Sequence, residues 1–218
     1  MKRGRVSIRS IWRAGGATVV YLSSGTTVLG MLALADTVRA ESREAVDALK
    51  QRGVRVAMLT GDSKAVGAWV AAQLGIDEVH AEVLPGEKSA VVKALQADGS
   101  KVAMVGDGIN DAPALAQADV GIAIGAGTDV AIESAGIVLA SSDPRGVART
   151  LALSRATWRK ELQNLFWATG YNAIGIPLAA GALFGVGILM PPALAAVFMS
   201  VSTIVVAANA QLLRRLKL

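Results

Sequence analysis

Cysteine is absent from all 218 residues, which excludes disulfides and thiolate-bound metal or cluster sites outright. Histidine occurs once, at His80. A lone histidine in a short linking strand reads as a surface or packing residue rather than a ligand. Aromatic residues make up only 4% while hydrophobic residues reach 53%, with mean hydropathy +0.47. That balance is too apolar for an ordinary soluble globule. The last shortage is one of charge. From Leu162 to Leu213 no residue is charged, a run of about fifty positions and room for two bilayer-crossing helices of about twenty residues each. A helical hairpin buried in a large soluble core is the competing reading of that run. The basic N-terminus has no continuous apolar segment behind it, so it is not a signal peptide.

The formal charge is +5, which raises nucleic acid as a partner. The basic residues, however, gather at Lys2, Arg3, Arg5, Arg9 and Arg13 and at the flanks of the apolar run. Those flanks are Arg155, Arg159 and Lys160 before it and Arg214, Arg215 and Lys217 after it. Such flanks are positive-inside anchors, not the footprint of a duplex, and no nucleic-acid partner is expected. The expected partner is the lipid bilayer. The polypeptide would cross it more than once, with the soluble domain and both hairpin ends cytoplasmic, as in a bacterial-type plasma membrane.

Before the apolar run, strands and helices alternate. Residues 1–17 form a linker. Thr18–Leu22 and Val28–Ala35 read as a hairpin, and Arg39–Gln51 as a helix closed by Gly53. Strand Val54–Leu59 ends in Thr60-Gly61-Asp62-Ser63, with a helix to Leu74 and a short strand Glu78–Val83. Pro85 opens a helix that carries Lys88. Strand Lys101–Val105 leads into Gly106-Asp107-Gly108-Ile109-Asn110-Asp111, and Val120–Ile124 and Ile137–Ala140 complete the set, with a short helix capped by Thr128 or Asp129 between them. The fold class is therefore α/β, a doubly wound parallel sheet over 18–143. A basic helix over 144–163, a transmembrane hairpin over 164–213 and a basic tail, 214–218, follow. Gly125-x-Gly127 lacks a third glycine and a following acidic residue, so it reads as a tight turn rather than a dinucleotide fingerprint.

The chemistry concentrates at the carboxyl ends of strands, where open α/β sheets hold ligands. Asp107 and Asp111 are two carboxylates on one strand-to-helix turn, suited to Mg²⁺, which takes a few protein oxygens plus substrate phosphate. Asp111 also reads as the N-cap of the following helix. One strand away, Thr60 offers a hydroxyl and the Gly61–Asp62 turn its amides to a phosphoryl oxygen. Lys88 would neutralise charge on a transferring phosphoryl group, and Asn110 would donate to the same phosphate or fix the loop. Singly these are a capping Thr, a solvated Lys and a capping Asp; in this order they form the phosphoryl-transfer half of a haloacid-dehalogenase-like (HAD-like) site.

Thr60-Gly61-Asp62, Gly106 through Pro113 and Val120-Gly121-Ile122-Ala123-Ile124-Gly125 resemble the phosphorylation domain of P-type ATPases. Gly127-Thr128-Asp129-Val130-Ala131-Ile132-Glu133 is similar to the heavy-metal-transporting class. In the apolar run, Asn164, Gly170-Tyr171-Asn172 and Pro177, then Met199-Ser200-Val201-Ser202-Thr203 and Asn209, resemble the last two helices of the copper subgroup whose central motif is Cys-Pro-His. The resemblance implies an ATP-driven copper or silver exporter with Mg²⁺ as cofactor. It implies Tyr171, Asn172, Met199, Ser202 and Thr203 as groups along the path of the transported ion. A thioether selects Cu(I) or Ag(I), and Tyr, Asn, Ser and Thr oxygens accommodate Cu(II). The same residues also serve as packing groups between membrane helices.

Members of that family form an aspartyl-phosphate on an Asp-Lys-Thr-Gly-Thr motif, and no Asp in these 218 residues is followed by Lys. The actuator motif Thr-Gly-Glu, the nucleotide-binding domain that holds ATP and the Cys-Pro-His helix are missing as well. The resemblance thus implies the C-terminal part of a pump, inactive alone and completed by a separate chain if it is half of a split pump. Two other functions are open: a membrane-tethered phosphatase using Asp36, and a non-catalytic module acting on a full-length pump.

Overall fold

The computed structural model describes residues 18–34, 37–107, 109–125, 133–187 and 191–215. Several expectations fall outside them: the 1–17 linker, Asp36, the helix at Thr128 or Asp129 with most of its motif, and the end of the basic tail. By internal contacts the chain divides into two units, Met1–Ala148 and Arg149–Leu218.

In the first unit, β1 (Thr18–Ser24) and β2 (Thr27–Leu34) pair antiparallel. Gly25 takes the turn at φ +58°, in the left-handed region where a side chain would be strained. Helix α1 (Ala40–Lys50) buries Ala45 and Val46. β3 (Ala57–Leu59) follows, then α2 (Lys64–Leu74), which Gly75 stops at φ +71°. β4 (Glu78–His80) pairs parallel with β3. A 3-10 turn at Pro85–Glu87 runs into α3 (Lys88–Gln96). β5 (Ala103–Gly106), a second 3-10 turn at Ile109–Asp111, α4 (Ala112–Gln117), β6 (Val120–Ile124) and β7 (Ile137–Leu139) complete the unit, and β5-β6-β7 form a parallel ladder. The βα alternation and the parallel pairing agree with the α/β expectation. The strands are shorter than the apolar runs suggest: β3 begins at Ala57 rather than Val54, and β4 ends at His80 rather than Val83.

The core lies between these ladders and their helices. Ala114, Leu115, Ala123 and Val92 are almost wholly buried. Small residues permit this packing. A Cβ on Gly121 would stand 2.7 Å from the Leu115 carbonyl oxygen, so only glycine lets β6 lie this close to the end of α4. The two parallel ladders are tied at both ends. Arg55, before β3, donates to Ser100 (3.1 Å) and pairs with Asp98 (3.5 Å), both before β5. Beyond the carboxyl ends, Lys88 pairs with Asp111. Among the described residues no backbone ladder joins β3 to β5. Val105, 36% exposed, sits on β5, whereas a central strand of a covered parallel sheet is buried on both sides. The sheet is open between β3 and β5.

Helix α5 (Arg145–Ala179) opens with Arg145, which grips Asp143 through Nε (3.0 Å) and Nη2 (2.8 Å) and reaches Glu44 of α1 through Nη1 (3.0 Å). These acceptors hold the guanidinium pKa above its ordinary value, through Asp143 first and then Glu44. The sequence reads as a basic helix over 144–163 leading straight into the apolar run; in the structure α5 is one continuous helix of 35 residues, in the second unit from Arg149 onward, and it ends at Ala179. Pro177 lies in its last turn and removes a backbone donor. Ala182 N–H then closes on the Pro177 carbonyl (2.9 Å) and Gly181 turns at φ +87°. After a 3-10 turn at Phe184–Val186, helix α6 (Pro192–Gln211) begins.

Among the described residues one stretch, Ala196–Arg214, is long and apolar enough to cross a membrane, at mean hydropathy 1.8. The run over 164–179 is equally uncharged, but its Asn, Thr, Tyr, Gly and Pro lower its hydropathy. The two helices run antiparallel in a clear register, with Lys160 opposite Asn209 and Tyr171 opposite Phe198.

Candidate active site

The site is built on the turn after β5. Gly106 is buried, and its φ is not positive. A Cβ here would lie 2.7 Å from Asp111 Oδ2 and 2.8 Å from Asp111 Cβ, so the missing side chain is the space in which Asp111 sits. Asp111 is the one buried charged residue among those described, at 8% exposure. Lys88 Nζ donates to its Oδ1 at 2.6 Å, with side-chain exposures of 17% and 12% for the pair. A short charge-assisted bond largely withdrawn from water is held far more firmly than a surface ion pair.

This corrects the expectation that Asp111 caps the following helix. It stands at the N-cap position of α4, but its backbone is already helical (φ −95°, ψ −12°) and its side chain makes no capping bond. The ammonium of Lys88 offers its carboxylate a stronger partner than a backbone amide would. Lys88 in turn is placed by Pro85, whose fixed φ starts the 3-10 turn, and by Glu87 Oε2 accepting from Leu84 N–H at 3.3 Å. Asp107 and Asn110 are exposed on the rim of the same turn.

Thr60 closes β3. Its N–H donates to the His80 carbonyl at 2.9 Å, continuing the parallel ladder. Its hydroxyl, which the sequence reading offers to a phosphoryl oxygen, is held within its own turn. It donates to Asp62 Oδ2 (2.9 Å) and accepts from Asp62 N–H (3.1 Å), a closed local turn made by residues two apart. Gly61 lies exposed at its tip. The Thr60–Asp62 turn is lashed to the connector that leads to Lys88. Val83 N–H donates to the Thr60 carbonyl (3.1 Å) and Glu82 N–H to that of Asp62 (2.9 Å). Glu82 makes this return at φ +59°, the one positive φ outside glycine among the described residues. Local backbone strain of this kind is characteristic of functional turns, and no sequence signal marks it. The 3-10 turns on either side of the Lys88–Asp111 pair also touch. The chain thus brings Lys88 and Asp111 into contact and ties Thr60, Gly61 and Asp62 to the same connector. Among the described residues no hydrogen bond or ion pair joins the Thr60–Asp62 turn directly to Lys88 or Asp111.

His80 meets Glu78 at 3.0 Å and stays half-buried. Asp119, which sequence reasoning passes over, accepts from Lys101 (2.7 Å), Gln96 (2.8 Å) and the Val102 N–H (3.1 Å). The Lys101 ammonium and these amides hold its carboxyl far below the usual carboxylate range. It fastens α3 and β5 to the loop before β6. Among the described residues no cluster of three or more His, Asp or Glu side chains could hold a metal alone.

In the second unit, Tyr171 and Ser202 are half-buried, and Tyr171 lies against Phe198 with ring centroids 6.3 Å apart. Asn172, Met199 and Thr203 are exposed, and the Thr203 hydroxyl donates to the Met199 carbonyl of its own helix at 3.1 Å. The structure therefore does not bring all five residues together. Asn164 and Asn209, singled out in the sequence, meet at the other end of the pair: Lys160 donates to Asn209 Oδ1 (2.8 Å) and Asn209 donates to Asn164 Oδ1 (2.8 Å) and Gln163 Oε1 (3.4 Å). The sequence marks these Asn residues as polar groups in apolar helices, but not that they pair with each other and with Lys160.

A family model for haloacid dehalogenase-like hydrolase matches residues 4–119, and a second of the same description matches 88–151. Among curated proteins, the chain is 59% identical over 199 residues to a copper-exporting P-type ATPase B of Archaeoglobus fulgidus, covering 91% of this chain and 29% of that protein. It is 49% identical over 207 residues to a silver exporting P-type ATPase of Salmonella typhimurium, covering 94% of this chain and 25% of the relative. Among solved structures it is similar to a zinc-transporting PIB-type ATPase in its E2.Pi state, with TM-score 0.80 and 38% identity over 94% of this chain and 33% of that one. The chain spans less than a third of the length of the curated relatives it matches.

Proposed function

The chain belongs to the haloacid dehalogenase-like hydrolase family, and from that premise we propose that it is the phosphoryl-transfer and closing membrane portion of a copper- or silver-exporting P-type ATPase. The observation that carries the proposal is the buried Lys88–Asp111 pair under the Gly106 turn, tied through Val83 and Glu82 to the Thr60–Asp62 turn. A cation and oxygen donors are thereby held beside one strand edge, where an incoming phosphoryl group meets them without reorganisation. The relatives' printed functions support the copper or silver assignment.

The donor set fits Mg²⁺: Asp107 is exposed and purely oxygen-bearing, and Lys88 occupies Oδ1 of Asp111 but leaves Oδ2. Asp107 and Asp111 would hold the ion, which when bound supplies positive charge to bridging phosphate oxygens. Lys88 fixes the Asp111 carboxylate and places its own charge against the phosphoryl group. Gly61, at the tip of the Thr60 turn, lets its backbone approach the phosphoryl oxygens, and Asp62 orients the Thr60 hydroxyl. Asn110 donates from the rim.

The attacking carboxylate and the ATP contacts come from a segment outside these residues, with the actuator, nucleotide-binding and Cys-Pro-His parts, in one longer polypeptide or a separate chain. The open space between β3 and β5 is where a strand bearing that carboxylate would pair. Tyr171 and Ser202 on the inner faces, with Asn172, Met199 and Thr203 facing outward, would meet the transported ion once a further helix closes over them. Both helices would cross the plasma membrane, with the soluble domain and both ends of the hairpin cytoplasmic.

Co-expression of this chain with the remaining part of a copper-exporting relative tests the reading. Mg²⁺-dependent phosphoenzyme formation and copper uptake into inverted vesicles should be restored, and Asp107→Asn should abolish both. Full activity in Asp107→Asn would overturn the site assignment. Unchanged copper affinity in Met199→Ala would return that residue to a packing role. Hydrolysis of a small phosphate ester by the chain alone would favour a tethered phosphatase instead.

A further inference from the structure

Helix α3 is fastened to the β5–α4 segment at both of its ends. At the amino end Lys88 Nζ donates to Asp111 Oδ1 at 2.6 Å. At the carboxyl end the half-buried Gln96 makes three bonds. Its Nε2 donates to Asp119 Oδ2 (2.8 Å) and to the Gln117 carbonyl (3.3 Å), and its Oε1 accepts from Gln117 Nε2 (3.0 Å). Asp119 is itself anchored by the Lys101 ammonium (2.7 Å) and by the Val102 N–H (3.1 Å), immediately before β5. Gln96 therefore ties α3 to the near end of the strand whose far end carries the Gly106 turn and Asp111.

Midway between these ends lies Val92, 1% exposed. Lys88, Val92 and Gln96 are spaced four apart and share one face of α3, with Val92 about 6 Å along the axis from each of the others. A helix gripped at its buried centre and at both tips cannot tilt. Released at one tip, it pivots about the centre, and because the arms are equal a shift at Gln96 returns as an opposite shift of the same size at Lys88. The Lys88 side chain is only 17% exposed, so it is packed along its length and follows the helix. We propose that Gln96 is a positioning residue for Lys88: through Gln117 and Asp119 it fixes the tilt of α3, and with it the reach of the Lys88 ammonium to Asp111. That the pair serves phosphoryl transfer rests on the function proposed above; that Gln96 sets the geometry of the pair does not.

The test uses the full chain in mild detergent, grown on 13C-labelled lysine, with the Lys88 signal assigned from its loss in Lys88→Arg. An ammonium held in one geometry shows two separate ε-proton resonances, and a freely rotating one shows a single averaged resonance. Gln96→Met keeps the length of the side chain and removes all three bonds. In that variant the two Lys88 resonances should merge. Acylation of Lys88 by acetic anhydride, read by mass spectrometry against Lys64, whose side chain is 82% exposed, should quicken by about fivefold, the opening that the loss of one net hydrogen bond produces. Gln117→Met, which removes the reciprocal donor from the exposed side, should act in the same direction and less strongly. Lys50→Met unties α1 from the end of α2 without touching α3, and should leave the Lys88 resonances apart.

Separate Lys88 resonances and unchanged acylation in Gln96→Met would overturn the inference. So would equal merging in Lys50→Met, which would mark a general loosening of the first unit rather than a tilt of α3. In a pump reassembled with its remaining part, Gln96→Met should slow phosphoenzyme formation by about the factor by which it opens the pair. Merged resonances with undiminished phosphorylation would uphold the role of Gln96 and refute the part assigned to the Lys88–Asp111 pair in phosphoryl transfer.

Discussion

Replacing Gly106 by alanine adds one carbon at the centre of the site, and the structure fixes what that carbon meets. The backbone there is not in the left-handed region, so alanine carries no conformational penalty of its own. The added Cβ would sit 2.7 Å from Asp111 Oδ2, 2.8 Å from its Cβ and 3.0 Å from its Cγ. Asp111 cannot retreat as a unit, because the residues behind it, Ala112, Ala114 and Leu115, are buried at 8%, 0% and 1%. Its side chain must swing out and release Lys88, which is held at 2.6 Å. Overpacking alone costs about 1–3 kcal/mol. Separating a desolvated pair costs about 3–5 kcal/mol, but Lys88 keeps 17% side-chain exposure and can turn partly to water. The expected loss for Gly106→Ala is therefore about 2–4 kcal/mol, within the range that overpacking and broken buried pairs span. In an Asp111→Gly background all three of these atoms are gone, and the same substitution should cost less than about 0.5 kcal/mol. Hydrogen exchange of the α4 amides, with urea unfolding followed by the fluorescence of Trp69 in α2, measures all four members of the cycle. Equal costs of Gly106→Ala in both backgrounds would refute the argument that Gly106 exists to seat Asp111.

Three further outcomes follow from the same geometry. Gly121→Ala drives a Cβ to 2.7 Å from the Leu115 carbonyl oxygen and 3.3 Å from Ala135 Cα. Because these are backbone atoms with no rotamer to change, the loss should reach about 3 kcal/mol or more, seen as a collapse of the thermal midpoint of the first unit. Asp119, with its pKa depressed from 3.8 by Lys101, Gln96 and Val102, lends stability that is complete above the ordinary carboxylate range. That stability drains away as pH falls below about 4, so Asp119→Asn should be less stable at neutral pH and show a flatter acid limb of the urea midpoint. Asn209→Leu removes the acceptor of Lys160 and the donor to Asn164. Because the chain has no native cysteine, a disulfide between Tyr171→Cys and Phe198→Cys gives a clean reading of register, and its yield should fall in the Asn209→Leu background. An unchanged yield would show that packing alone aligns α5 and α6.

The elements that were legible in the sequence share a property: their cause is local. Gly25, Gly53 and Gly75 end elements because each takes a positive φ, and Pro85 starts a turn because its own ring fixes the backbone. Apolar runs of a few residues, separated by helical spacing, became parallel strands in order. What could not be read was the identity of each partner. Asp111 stands after β5 in the position of a cap, and a local reading assigns it the nearest amides. Its actual partner, Lys88, lies 23 residues earlier and meets it only because α3 and α4 pack side by side. The hydroxyl of Thr60 is the opposite case: the sequence reading offers it to a ligand, and its partner in the structure is local, Asp62, two residues on. The network around Asn209 spans up to 49 residues, beyond any periodicity argument.

The difference also bears on chemistry. A capping Asp111 would be a structural residue and a free Thr60 a ligand. A Lys-bound Asp111 instead fixes a cation against the turn that also carries Asp107, and an Asp62-bound Thr60 presents a pre-set turn. In the function proposed above, the positive charge that a phosphoryl group needs would thus be in position before any ligand arrives. Lys88→Met should therefore impair phosphoryl transfer in a reassembled pump even if the fold is rescued by pairing it with Asp111→Leu, since an apolar pair restores packing but neither the Lys88 charge nor the Asp111 oxygen proposed for Mg²⁺. Recovery of transfer in that double variant would mean that the pair serves stability alone.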